Sequence, residues 1–114
     1  MKRPAQKLTN PLPNIIVFSL VISFCSTSLA ATDGKSIYDN NCKSCHEQGI
    51  GGAPTLSDKK EWQGRQEKGI DGMVEIVING VQGYGGSMPP RGGNPNLTDE
   101  QIKAAVVYMV DQLR

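Results

Sequence analysis

Cysteine and histidine are so scarce in this 114-residue chain that their grouping limits what it can become. After position 30, its two cysteines and its single histidine fall within five consecutive residues, Cys42-Lys43-Ser44-Cys45-His46. On one helical turn, positions i and i+3 project from the same side and i+4 lies beside them, so two sulfurs and one imidazole converge. The pattern is C-x-x-C-H, the attachment signature of a c-type haem. Both thiols can add to the vinyl groups of one porphyrin, and the histidine can bring a ring nitrogen to its iron. Cys42 and Cys45 are therefore expected to carry one covalently bound haem c, with His46 as an axial iron ligand. A ligated histidine usually passes its other N–H to a fixed acceptor. The carbonyl of Pro54, in the rigid stretch just after the motif, is expected to be that acceptor.

Two other chemistries use paired cysteines. A redox dithiol of the thioredoxin type belongs near a βαβ pattern, and the sequence around Cys42 has no strand signature. Structural zinc wants four Cys or His ligands, and residues 31–114 supply only Cys42, Cys45 and His46. Haem also answers a shortage of core. The chain is 38% hydrophobic and 5% aromatic, with 13 Gly and 7 Pro, so a small domain built from it needs a staple. One cysteine pair two residues apart is too local to provide a disulfide framework.

The first thirty residues read as an export signal. Lys2, Arg3 and Lys7 precede an apolar run from Ile15 to Phe24, broken only by Ser19 and Ser23, and Ser28-Leu29-Ala30 places small residues where signal peptidase reads. Residues 1–30 are expected to be cleaved, after Ala30 or Ala31, leaving residues 31–114 as one domain in the periplasm. As an uncleaved membrane anchor the run is short of the roughly 20 residues that a spanning helix needs. Cys25 is no lipid-attachment site, because the bulky Phe24 precedes it. Without the leader, nine Lys and Arg face eleven Asp and Glu, a formal charge of −2. A nearly balanced surface with no basic cluster excludes nucleic acid as a partner.

The domain reads as all-α, three to four short helices wrapped around one haem. Thr32 or Asp33 can cap a first helix that runs into the motif, with Tyr38, Cys42 and Cys45 on one face. Gly49 to Pro54 should be an irregular loop. Ser57 or Asp58 can start a short helix through Trp62. From Asp71, a helix with Ile70, Met73, Val74, Val77 and Ile78 on one face should end at Gly80. Six glycines and three prolines between Gly80 and Asn96 exclude regular structure there, and no strand is expected. Thr98-Asp99-Glu100-Gln101 is a capping box, opening a helix with Ile102, Ala105, Val106, Met109 and Leu113 on its inner face.

With no second histidine, the remaining soft donors are Met73, Met88 and Met109. Met73 and Met109 fit the apolar faces of their helices, where packing explains them. Met88 has no helical face to join, and Pro89-Pro90 restrict the backbone behind it. It is the expected second axial ligand, and it gives the long loop a reason to exist.

The order of these features resembles a class I c-type cytochrome: Gly34 and Tyr38 in a first helix, C-x-x-C-H, Gly-Ala-Pro, a loop methionine and an amphipathic last helix. Gly51-Gly52-Ala53-Pro54, Trp62, Ser87-Met88-Pro89-Pro90-Arg91-Gly92-Gly93 and Leu97 to Met109 resemble the c5-type subgroup. Several c5-type proteins carry an extra disulfide just after the methionine loop, where this chain has Asn94. The resemblance implies His46 and Met88 as axial ligands. It also implies Gly34 as the close contact between the first and last helices, with Tyr38 and Tyr108 flanking the crossing.

The expected activity is that of an electron carrier rather than an enzyme. Two filled axial positions leave outer-sphere transfer of one electron through an exposed haem edge, between redox protein partners such as membrane respiratory complexes. No small-molecule substrate is expected, and membrane contact is transient unless the leader is retained. Leu56, Ile76, Val77, Ile78, Leu97 and Met109 are pocket walls or ordinary core. Trp62, Arg65 and Arg91 are possible partners of the haem propionates, and Tyr84 is a weaker one. Two other functional readings remain open: a haem enzyme or gas- or peroxide-binding protein with a labile sixth ligand, and an electron-input module tethered by an uncleaved leader.

Overall fold

The structure, a computed structural model, describes residues 2, 4, 5, 9–13, 32–83 and 86–114. The apolar run from 15 to 24, the expected cleavage position and Tyr84 lie outside these residues. The first helix, α1 (Gly34–Asn41), starts where Asp33 caps it by accepting from the Lys35 N–H at 3.1 Å. It continues into α2 (Lys43–His46) with only Cys42 between them. There φ opens to −116°, while the Cys42 N–H still donates to the Tyr38 carbonyl at 2.9 Å. One expected helix is thus two, bent at the first cysteine of the motif.

Asp58 caps α3 (Lys59–Gln66) by accepting from the Glu61 N–H at 3.2 Å. Next, α4 (Gly69–Asn79) ends at Gly80, which turns the chain out of the helix at φ 76° and ψ 172°. The last helix, α5 (Asp99–Asp111), opens on the expected capping box. Thr98 Oγ1 accepts from the Gln101 N–H at 3.2 Å, and Gln101 Oε1 accepts from the Thr98 N–H at 2.9 Å. The described residues thus hold five α-helices rather than three or four.

The expectation of no strand is corrected. Val81–Gly83 (β1) and Gly86–Met88 (β2) pair antiparallel, with Val81 opposite Met88, Gln82 opposite Ser87 and Gly83 opposite Gly86. Strands of three residues are too short to show a period of two, and a glycine in each hides their side-chain pattern. Gly80 sets up the ladder: a Cβ on it would stand 2.7 Å from the Met88 carbonyl oxygen and 2.8 Å from the Pro90 nitrogen.

Helices α1 and α4 pack on α5, and α3 reaches it through Trp62. Its expected inner face, Ile102, Ala105, Val106, Met109 and Leu113, is buried. Ile102 is only 1% exposed, a burial that contributes about 1.5–3 kcal/mol. Tyr38, Trp62, Met109 and Leu113 form one buried cluster; Met73, Leu97, Ile102 and Val106 form another. Where α1 crosses α5, a Cβ on Gly34 would lie 2.1 Å from the Ala104 carbonyl oxygen and 3.2 Å from Tyr108 Cβ. Only a glycine lets the two backbones meet. Tyr38 and Tyr108 flank that crossing, their ring centroids 5.3 Å apart.

Candidate haem-attachment site

Helix α2 and its flanks place Cys42, Cys45 and His46 on one turn, closed by hydrogen bonds from the Cys45 and His46 N–H groups to the Cys42 carbonyl. Both cysteines are free, Cys42 half-buried against Tyr38 and Trp62 and Cys45 exposed. Burial, with a smaller effect from neighbouring Cys45, pushes the Cys42 thiol up to about 11. A redox dithiol requires the opposite shift, toward the thiolate. Cys42 is thereby held as a thiol, and Cys45 stands beside it on the same helical turn.

His46 is buried at 7% exposure. Its Nδ1 lies 2.9 Å from the Pro54 carbonyl oxygen, the acceptor expected from the sequence. That oxygen can only accept, so Nδ1 carries the proton and donates, and Nε2 is the ring nitrogen left for a ligand. A left-handed Gly49 begins the return of the chain that brings Pro54 back to the histidine. The Leu56 N–H completes the return by donating to the His46 carbonyl at 3.2 Å. The Trp62 ring covers the imidazole, with centroids 5.9 Å apart.

Met88 stands at the end of β2. Strand β2 packs on the 50–52 turn that follows the motif, so closely that a Cβ on Gly86 would stand 2.6 Å from the Gly51 carbonyl oxygen. The absence of a side chain at Gly86 is what lets the methionine strand lie against the histidine loop. Behind Met88, residues 90–93 form a tight turn with Arg91 at φ 54° and Gly92 at φ 62°. A left-handed arginine costs about 1–3 kcal/mol. Its guanidinium offsets that cost by donating to the Leu97 carbonyl and to Asp99 Oδ1, both at 2.7 Å. Asn94 then ties the loop back to the motif: its Nδ2 donates to Asn41 Oδ1 at 2.8 Å, one residue before Cys42.

The geometry revises three of the residues put forward as propionate partners. The single indole N–H of Trp62 donates to the Thr55 carbonyl at 2.8 Å, so Trp62 belongs to the site as cover for His46 rather than as a free donor. Arg65 lies over the Trp62 ring, 5.8 Å from its centroid, and donates to the Glu61 carbonyl. Arg91 holds the methionine loop to α5. Sequence reasoning missed the Asn41–Asn94 bridge and the Thr55 acceptor. The bridge joins residues 53 positions apart and leaves no local signal. The acceptor is a backbone atom, which no side-chain pattern reports.

The donor set fits a haem. Two free thiols three positions apart and an imidazole whose Nε2 is left for a ligand stand on one turn, and the strand that carries Met88 packs on the turn that follows. Among the described residues, no group of three or more His, Cys, Asp or Glu side chains could hold a bare metal ion.

Comparison with known proteins agrees. The family described as "Cytochrome C oxidase, cbb3-type, subunit III" matches residues 29–109. A protein named cytochrome c-555 from Prosthecochloris aestuarii is 46% identical over 85 residues, covering 71% of this chain and 86% of its own length. One named cytochrome c5 from Azotobacter vinelandii is 30% identical over 81 residues, covering 69% of this chain and 93% of its own. Among solved structures, a chain from an electron transfer complex of nitrite reductase with cytochrome c superposes with a TM-score of 0.63 at 35% identity. That match covers 72% of this chain and 95% of the other.

Proposed function

The chain belongs to the class I monohaem c-type cytochromes, whose cofactor is a covalently attached haem c, and from that membership we propose that it is a one-electron carrier between redox proteins. Cys42 and Cys45 would hold the porphyrin as thioethers, and His46 Nε2 and Met88 Sδ would fill the two axial positions of its iron. The bound haem supplies one reversible one-electron couple. The chain's own residues fix its surroundings. Pro54 holds the His46 tautomer and ring plane, Trp62 shields the ring from water, and Arg91 and Asn94 keep Met88 on its strand.

The observation that carries this reading is the pairing of the two ligand segments. The bond from His46 Nδ1–H to the Pro54 oxygen releases Nε2, and the packing of Gly86 on Gly51 brings in the methionine strand. With His46 and Met88 both bound to the iron, no position would be left for a substrate. The finer reading is a diffusible carrier in the periplasm that serves membrane respiratory complexes. It is supported by the signal-like residues 1–30 and the near-balanced charge of the rest.

Absorption spectra of the exported protein, oxidised and dithionite-reduced, test the ligand set. Sharp low-spin bands are expected, with a far-red methionine-to-iron band in the oxidised form that disappears in Met88→Ala. A high-spin spectrum, or carbon monoxide binding to the reduced protein without denaturant, would overturn Met88 ligation in favour of a haem enzyme or gas-binding protein. Recovery of the protein in the membrane fraction would replace the diffusible carrier with a tethered module.

A further inference from the structure

Asparagine is followed by glycine once in this chain, at Asn79-Gly80. The backbone nitrogen of the following residue can attack an asparagine side chain at Cγ, and glycine, which has no side chain, hinders that attack least. The new C–N bond closes a five-membered succinimide as ammonia leaves, and water then opens the ring to aspartate or isoaspartate. No enzyme, oxidant or cofactor is needed. After position 30, Asn40, Asn41 and Asn96 precede residues with side chains, and Asn94 precedes Pro95, which has no N–H to lose. Gly80 itself is fixed by the fold. A Cβ there would stand 2.7 Å from the Met88 carbonyl oxygen and 2.8 Å from the Pro90 nitrogen, and its φ of 76° favours glycine.

Both reacting groups are held in the folded protein. The Gly80 N–H donates to the Ile76 carbonyl at 2.8 Å, closing the last turn of α4, and Asn79 Nδ2 donates to the Glu75 carbonyl at 3.0 Å. The ψ of a regular helix, about −42°, turns the next nitrogen away from the side-chain carbon. Yet Asn79 is exposed and is the last residue of its helix, where opening costs least.

We propose that Asn79-Gly80 is a site of spontaneous deamidation, guarded while α4 keeps its last turn, and that its products keep the Met88 strand from settling back once that turn has opened. The part that concerns Met88 rests on the ligand set of the electron-carrier reading. Isoaspartate adds a methylene to the backbone just before Gly80, whose fit against Met88 and Pro90 sets up the β1–β2 ladder. Aspartate loses the donor to the Glu75 carbonyl. It also places a negative charge four positions from Glu75, at the helix end where the dipole disfavours it.

The test warms the haem-loaded protein at mildly alkaline pH under three conditions: without urea, in urea that removes the far-red methionine band but leaves the helical signal, and in fully denaturing urea. Peptide mass spectrometry follows replacement of NH2 by OH at position 79, and isoaspartyl methyltransferase reports isoaspartate. Asp33-Gly34 and Asp71-Gly72 can close the same ring by losing water, but they return to their original mass. Deamidation at position 79 should be at least about tenfold faster in the intermediate urea than without it. Asn79→Gln, which would have to close a six-membered ring, should abolish it. Asn79→Asp should lose the methionine band at lower urea than wild type, and protein enriched in isoaspartate at lower urea still. Equal rates with and without urea would overturn the guarding role of the turn. Modification at Asn40, Asn41 or Asn96 ahead of position 79 would overturn the site, and modified protein with the wild-type band midpoint would overturn the effect on Met88. Failure of the ligand set would look different: fresh protein would show no far-red band, while modification would still follow exchange of the Gly80 amide hydrogen.

Discussion

The segment that carries His46 is fastened by partners near it in sequence, whereas the segment that carries Met88 is fastened by partners far away. The Asn41 amide reaches the Ile37 carbonyl, Cys42 reaches Tyr38, and His46 reaches Pro54, none more than eight positions distant. Around Met88, Gly86 lies on Gly51 and Asn94 bonds Asn41. Short closures cost little chain entropy and can form within one turn and its loop. Long closures exist only once α1, α4 and α5 have met. The histidine half is therefore expected to outlast the methionine half whenever packing is loosened.

The largest expected effect comes from breaking the scaffold both halves share. Gly34→Val would drive a side chain into the Ala104 backbone, where even a Cβ would stand at 2.1 Å. Separating α1 from α5 should cost about 3 kcal/mol, read as a fall in the urea midpoint. Both ligand segments should loosen, the methionine band fading first. A variant that keeps the wild-type midpoint would mean that the crossing is not what holds the fold.

A smaller and more selective effect is expected at the Asn41–Asn94 bond, which joins the halves. Asn94→Ala removes the donor to Asn41 Oδ1, and Asn41→Ala removes the acceptor, each at a cost of about 1–2 kcal/mol. The far-red methionine band should vanish at lower urea than in wild type, while the low-field shifts of the His46 ring protons persist. In a double-mutant cycle the two losses should not add, because they remove the same bond. Additive losses would show that the amides act separately and that the bridge does not couple the two segments.

The same division explains what could be read from the sequence. Cys42, Cys45, His46 and the Pro54 acceptor were legible because their geometry is set by helical spacing and a short rigid loop. The caps at Asp33, Asp58 and Thr98 were legible because a cap is a local event, as were the buried positions of α5, whose period repeats over thirteen residues. Met88 could be singled out by elimination, but the hairpin that carries it could not, since β1 and β2 are three residues each and depend on Gly80 leaving its helix at positive φ. Arg91 could be put forward only as a propionate partner because its left-handed backbone and its two acceptors are tertiary facts. Gly34 lay between these cases. A small residue near aromatic ones allows a helix crossing, but only family resemblance pointed to it in advance.

The smallest expected effect separates local from distant fastening by acid. Asp33, within α1's own cap, has its carboxyl held below the ordinary 3.8 by the Ser36 hydroxyl, with Lys35 adding to it. Asp71 on α4 is lowered from the same value by the Lys103 ammonium on α5, at 2.8 Å. A depressed folded-state pKa contributes stability that is fully present above the ordinary carboxylate value and is lost as pH falls through the folded one. Urea midpoints should therefore drop between neutral pH and about pH 3, and Asp33→Asn and Asp71→Asn should each flatten part of that drop. Salt distinguishes them. The exposed Asp71–Lys103 pair joins two full charges through a hydrogen bond and a Coulombic attraction, and salt at about 0.5 M should weaken it. Asp33 owes its shift first to a neutral hydroxyl at contact distance and should keep most of it. If added salt erased both contributions alike, the local cap would be no more than a surface charge pair, and the contrast between near and distant fastening would not extend to the protein's response to acid.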